Sequence, residues 1–175
     1  ATGGGQYTRS MGEETTVGGG HYNWASSDWA TVSGGQYNYC AGYHSSINGG
    51  YSNGLYASHC HIGGGQSNYL YSPHTTINGG YNNIGYAYAS GIGGGYQNRA
   101  YGSWSTVRGG YNNLVYNTWG TINGGYNNWN YGRYSTTGGG YNNWQYGAYY
   151  ATIAGGYNNY LFSYSATVGG GQYNS

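Results

Sequence analysis

The sequence predicts an all-β chain wound as a parallel β-solenoid of about eleven coils, each of fifteen residues with two short strands. Three observations carry that prediction. Gly-Gly pairs recur at 4–5, 19–20, 34–35, 49–50, 64–65, 79–80, 94–95, 109–110, 124–125 and 139–140, and after one inserted residue near Tyr149 and Tyr150 they resume at 155–156 and 170–171. Self-similarity at a fixed short period is the mark of stacked repeat units. Within each repeat, small or aliphatic residues alternate with larger or polar ones, the period of a half-buried strand. The glycine density and the lack of a 3.6-residue period exclude helix.

Numbered from the first glycine of each pair, the coil reads G-G-Y-N-N-x-A-Y-G-x-x-S-T-V-x. Positions 1, 2 and often 9 are glycine and form the predicted corners, where positive φ or a close backbone approach excludes a Cβ. The first strand segment spans positions 5 to 9. Position 5 is asparagine in ten coils, from Asn23 through Asn98 to Asn159, with Thr8 the exception. This column is expected to turn inward and bond to its counterparts above and below, as stacked amides do in cross-β ladders. Position 7 offers a small or medium inward residue such as Ala100, Val115 or Leu161, and position 8 is tyrosine from Tyr56 to Tyr146, with Phe162 following. The second segment spans positions 12 to 15. Its position 14 is β-branched throughout: Val17, Val32, Ile47, Ile62, Ile77, Ile92, Val107, Ile122, Thr137, Ile153 and Val168. Residues 1–175 form one repeat domain, with coils starting at Gly4, Gly19, Gly34, Gly49, Gly64, Gly79, Gly94, Gly109, Gly124, Gly139 and Gly155, and a partial coil from Gly170.

The frame G-x-x-N-x-A-x-G-x-x-S-x-V-x-G, best matched by Gly95, Asn98, Ala100, Gly102, Ser105, Val107 and Gly109, resembles the head repeat of trimeric autotransporter adhesins. The resemblance covers nearly the whole chain. It implies a left-handed roll with two strands per coil, and trimers. The chain departs from that pattern in its tyrosine load and doubled glycine, and no stalk or membrane anchor follows.

Composition narrows the function. Only 4% of residues are charged, lysine is absent and the formal charge is +1. Such a chain presents no electrostatic footprint for nucleic acid or anionic membrane. Low charge also removes a usual defence against self-association. Disorder is excluded by an aromatic content of 19% and a single proline, Pro73. No apolar run reaches transmembrane length and no signal peptide is recognised. A start at Ala1 without methionine suits a processed or partial product.

Stacking turns every column into a ladder. With a rise of about 4.8 Å per coil the array becomes a rod of roughly 50 Å. Its interior is thin, so the aromatic faces are expected to pack on each other or on neighbouring chains. Positions 6 and 8 form an aromatic sheet face carrying Tyr56, Tyr71, Tyr86, Tyr101, Tyr116, Tyr131 and Tyr146 with Trp24, Trp129 and Trp144. Positions 13 and 15 form a flatter polar face. Corner position 3 adds Tyr81, Tyr96, Tyr111, Tyr126, Tyr141 and Tyr157.

Two groups of residues invite chemistry. His44, His59 and His74 share position 11 one coil apart, with His61 nearby in sequence, and imidazoles about 5 Å apart can converge on zinc, copper or nickel. The competing reading is an aromatic corner column that continues as Trp104, Trp119, Tyr134 and Tyr149. Cys40 at position 7 and Cys60 at position 12 of the next coil are both predicted inward, as free thiols in preference to a bridge. Catalysis has little support. The acids Glu13, Glu14 and Asp28 all lie in the first two coils, and no buried acid is available to orient a histidine and serine as a triad. The expected chain is no enzyme and needs no cofactor.

Three functions compete. The first is a self-assembling extracellular filament or cell-surface layer, with the chain as its own partner in a fibre or homo-oligomer. Neither end shows a cap, so open strand edges are expected to stack head to tail. The second is ice binding on the column Thr16, Thr31, Thr76, Thr106, Thr121, Thr136, Thr152 and Thr167, which His61, Gly91 and Arg108 interrupt. The third is an adhesin head that binds an extended surface or glycan through stacked aromatics.

Overall fold

A computed structural model describes residues 2–147 and 149–175 of the chain. It shows an all-β parallel solenoid. Twenty-two strands, each of two residues, form two parallel eleven-stranded sheets. Each coil contributes positions 6–7 to one sheet and positions 13–14 to the other. The register is one repeat: Arg99 and Ala100 pair with Leu114 and Val115, while Thr106 and Val107 pair with Thr121 and Ile122. A third line of single-residue bridges runs along position 3, from Gln6↔His21 to Tyr157↔Gln172.

The strands are shorter than the predicted segments because left-handed residues bend the chain twice per coil. Position 4 and position 11 have positive φ along the array, as at Tyr22 (54°), Asn112 (53°), His59 (58°) and Trp104 (58°). Left-handed backbone costs an L-residue about 1–2 kcal/mol. A hydrogen bond to the preceding coil offsets that cost: His59 N–H donates to the Tyr43 carbonyl at 2.8 Å, and Asn112 N–H to that of Tyr96 at 2.8 Å. The sequence places a corner at position 11 but expects positive φ at the glycines, and the bend at position 4 is not expected from it. Asparagine at position 4 (Asn82, Asn112, Asn127, Asn142, Asn158) was the available signal, since it tolerates left-handed backbone better than most residues.

The repeat slips once. Arg133 pairs with Tyr149, and Tyr150 N–H donates to the Arg133 carbonyl, so the inserted residue precedes Tyr149. Tyr150, not Tyr149, therefore continues the corner column, stacked on Tyr134 at 5.2 Å with planes 9° apart. Tyr149 sits one position earlier and stacks on Tyr164.

Positions 5, 7, 12 and 14 face inward. The apolar core runs unbroken from Val17 to Ile122 and resumes with Ala151, Ile153 and Leu161. Between these clusters lies a buried polar layer of Asn130, Thr137 and Gln145. Asn130 is well satisfied, donating to the Ser135 carbonyl at 3.1 Å and accepting from Gly132 N–H at 2.9 Å and the Ser135 hydroxyl at 2.5 Å. Thr137 Oγ1 and Gln145 Oε1 have no partner.

The inward asparagines do more than stack on one another. Asn98 Nδ2 donates to the Gly94 carbonyl of its own coil at 2.8 Å and to the Gly110 carbonyl of the next at 2.9 Å. Its Oδ1 accepts from the backbone N–H of Asn113 at 3.0 Å and from the Asn113 amide at 3.1 Å. The corresponding bonds recur from Asn23 to Asn174. This ladder explains the second glycine of each pair. At Gly95, with φ at +86°, an added Cβ would lie 2.2 Å from the Gly110 oxygen and 2.7 Å from Asn98 Nδ2.

Two stability predictions follow from these contacts. Asn98→Ala strips the side-chain partner from the buried Gly94 carbonyl and from the Asn113 N–H, and one of two donors from the Gly110 carbonyl, which keeps Tyr96 N–H; it should destabilise the array by about 3–5 kcal/mol in chemical denaturation. Thr137→Val removes an unpaired buried hydroxyl at nearly constant volume, and should raise stability by about 1 kcal/mol, seen as a higher melting temperature.

Candidate functional surfaces

In-register stacking turns sequence columns into continuous strips, and four of them run along the solenoid. The first is the aromatic sheet face. Tyr56, Tyr71, Tyr86 and Tyr101 stack with centroids 5.1, 4.8 and 4.7 Å apart and planes within 12°. Tyr116, Tyr131 and Tyr146 continue the column with tilts of 30–42°. Position 6 supplies a flanking row in which Trp129 and Trp144 stack at 4.6 Å. Each indole N–H donates to an asparagine, Trp129 to Asn127 at 3.1 Å and Trp144 to Asn142 at 2.9 Å. Those asparagines belong to an outer amide ladder, Asn112→Asn127→Asn142→Asn158, with bonds of 2.8, 2.7 and 2.6 Å. At Gly54 the row has no side chain, and the Tyr56 ring covers the gap, with Cε2 2.9 Å from where a Cβ would stand.

Two further aromatic columns mark corners. From Tyr81 to Tyr157 the rings at position 3 stack at 4.8–5.0 Å with planes within 13°. At position 11, Trp29, His44, His59 and His74 stack at 4.7, 5.7 and 5.0 Å. The three histidines predicted to share a metal are thus in register, but their rings lie nearly parallel, 18° and 11° apart. Parallel rings hold their in-plane nitrogen lone pairs side by side and do not converge them on one point. Among the described residues, no group of three or more His, Cys, Asp or Glu is placed to hold a metal ion.

These columns share one physical origin. The coil spacing equals the strand spacing, about 4.8 Å. Like rings in adjacent coils then fall within the 4.5–7 Å range of favourable aromatic pairs, each contributing about 0.5–1.5 kcal/mol beyond burial. The rings nevertheless stay open on their outer edges: in the Tyr56–Tyr146 column Tyr131 is half-buried and the other six are 37–54% exposed.

The fourth strip is the threonine column. Thr106, Thr121, Thr136, Thr152 and Thr167 are paired without interruption. Thr16 and Thr31 are paired at the other end. Between them, Ser46 bonds His61 Nδ1 at 2.8 Å, and Gly91 leaves a gap between Thr76 and Thr106. Cys40 and Cys60 are buried free thiols. Burial pushes the Cys40 thiol up to about 11 and raises Cys60 as well. Two of the acids are engaged near one end, Glu14 by the Trp29 indole at 2.8 Å and Asp28 by the Glu13 N–H at 2.7 Å.

The fold and its surfaces define the chain as a parallel β-solenoid with in-register aromatic ladders. No protein-family model matches the chain, and neither does any curated protein sequence. No helix among the described residues is long and apolar enough to cross a membrane.

Partial burial raises the phenols of Tyr56, Tyr71, Tyr101 and Tyr131 above the ordinary tyrosine value, and neighbouring ladder phenols add to the rise. A phenol raised in the fold favours the folded state only while it stays protonated. Stability from this face should be complete below the unfolded tyrosine pKa of about 10 and fall as pH rises through and above it. In a Cys40→Ala/Cys60→Ala variant, which removes the two raised thiols, melting temperature followed by circular dichroism should hold from pH 7 to 9 and drop beyond about 10, with tyrosinate absorbance of the ladder lagging behind that of free tyrosine. A melting temperature that stays flat through this window would show that the column contributes nothing to the pH response.

Proposed function

We propose that the chain is a structural, self-assembling subunit of an extracellular filament or surface layer, packing side by side on neighbouring copies through its aromatic sheet face. One observation carries this reading: a strip of tyrosine and tryptophan runs through successive coils, stacked along the axis yet uncovered on its outer edge. Extended exposed apolar strips mark contact surfaces. The scarcity of charge and absence of lysine leave little to oppose association, because charged side chains are a main defence of exposed sheet surfaces. Aromatics are also the residues most enriched at the centres of protein contacts.

The face suits a flat partner with the same period better than it suits a sugar. Carbohydrate recognition by aromatics uses ring faces, and in these columns the faces are occupied by the rings above and below. Ring edges remain exposed along the column. A neighbouring solenoid offers matching edges at the same spacing, which gives a repeating lateral contact. An ice-binding reading draws on the five successive threonines from Thr106 to Thr167, but a single column presents a narrow face.

Negative-stain electron microscopy over a concentration series tests the proposal. Long uniform fibres or sheets are expected from the unaltered chain. The triple variant Tyr71→Ser, Tyr86→Ser, Tyr101→Ser should stay dispersed while keeping its β circular dichroism. Dispersed rods from the unaltered chain, or fibres undiminished in the variant, would overturn it. Thermal hysteresis from dispersed rods would instead favour the threonine face.

A further inference from the structure

The threonine face is broken at one place by a recess that the aromatic contacts do not use. The sixth coil, Gly79–Gly93, carries glycine at the outward position of its second strand, Gly91, and again at Gly93 just after that strand. The fifth and seventh coils keep theirs, Thr76 and Asn78 on one side, Thr106 and Arg108 on the other. The missing side chains leave a recess of about 270 Å³ between these walls, floored by the buried Ile92.

The chemistry of this recess comes from side chains. The backbone at its floor is already committed, Gly91 N–H to the Ser105 carbonyl at 2.9 Å and Gly93 N–H to that of Val107 at 2.9 Å. The walls bring two hydroxyls, a carboxamide and a guanidinium. None of these four side chains has a hydrogen-bonding, ionic or ring partner among the described residues. Arg133, by contrast, bonds the Tyr149 hydroxyl at 2.9 Å and lies over the Tyr134 ring. The acids of the chain, Glu13, Glu14 and Asp28, belong to the first two coils, so nothing in the recess neutralises Arg108.

We propose that this recess binds a carboxylate group, held by Arg108 and by the hydroxyls and amide of Thr76, Thr106 and Asn78. A guanidinium presents its donors as a planar fork that matches a carboxylate in two parallel bonds. The hydroxyls and amide complete a donor-rich rim, and the bare backbone from Gly91 to Gly93 leaves room for the group that carries the carboxylate. Two sources share this chemistry: a small free carboxylate, or the exposed Glu13 or Glu14 of a second copy.

The recess can be closed without disturbing the fold. Gly91 is not in the left-handed region, and an added Cβ would have its nearest neighbour, Thr76 Oγ1, at an ordinary 3.7 Å. Gly91→Thr therefore completes the column and fills the recess. Gly93 is unsuitable for this purpose, since its Cβ would lie 2.3 Å from the Arg108 carbonyl oxygen.

The test is NMR of the full chain, in solution or in the solid state, with labelled Ile and Thr methyls and Gly amides. Sodium acetate is titrated against sodium chloride at matched ionic strength. Saturable shifts at Thr76, Gly91, Ile92 and Thr106 are expected with acetate alone. Gly91→Thr should abolish the response with its circular dichroism unchanged, and Arg108→Gln should weaken it at least tenfold. Absence of saturation, an equal response to chloride, or an undiminished response in both variants overturns the proposal. The source is read without acetate. Concentration-dependent shifts at the same resonances that vanish in Glu13→Gln/Glu14→Gln assign the carboxylate to a second copy, whereas constant resonances with a saturable acetate response assign it to a free ligand.

Discussion

Everything in this solenoid depends on one buried asparagine in each coil after the first. Its amide ties a glycine carbonyl of its own coil to a glycine carbonyl of the next, while its carbonyl oxygen receives the following backbone N–H. A chain with two-residue strands has little sheet to hold its turns together, and its interior is one or two small side chains wide. The asparagine compensates by satisfying corner groups that would otherwise be buried without partners. The same bonds fix which residue lies above which. They also explain why glycine at position 2 does not vary, since a side chain there would occupy the space of the amide and of the carbonyl it binds.

Once the register is fixed, the outer columns have no freedom to be anything but ladders. The aromatic columns are stacked because the coil spacing falls inside the range in which rings attract. The bulky left-handed residues at position 11 are tolerated for the same reason: ring stacking and a cross-coil hydrogen bond hold Trp104 and His59 in a conformation their side chains alone disfavour. Where a column changes identity, the local chemistry changes. Gly91 interrupts threonine with a recess, and Asn130, Thr137 and Gln145 interrupt the apolar core with a polar layer.

The arrangement favours surface contacts over pockets. Long faces of uniform chemistry repeat at the spacing of the backbone, which is the basis of the lateral packing proposed above. The sparse charges then matter individually. Arg133 is held over a tyrosine ring, whereas Arg108 stands at the rim of the recess with its donors free.

Much of this was legible in the residues. The period of the glycine pairs determined the coil count and the parallel stacking, and alternation around positions 7 and 14 identified the inward face. The inward asparagine column could be read from its near-invariance along the chain. Its hydrogen bonds could not, because their partners are corner carbonyls supplied by a neighbouring coil. Nor could the position of the insertion, which pairing places before Tyr149, or the left-handed bends at positions 4 and 11. The histidine column shows the boundary most plainly. Sequence put His44, His59 and His74 in register, but only the tertiary structure decided that their rings would lie face to face and not converge. A repeat determines which residues become neighbours; the rotation of each ring about its own bonds is decided by the packing of the coils above and below.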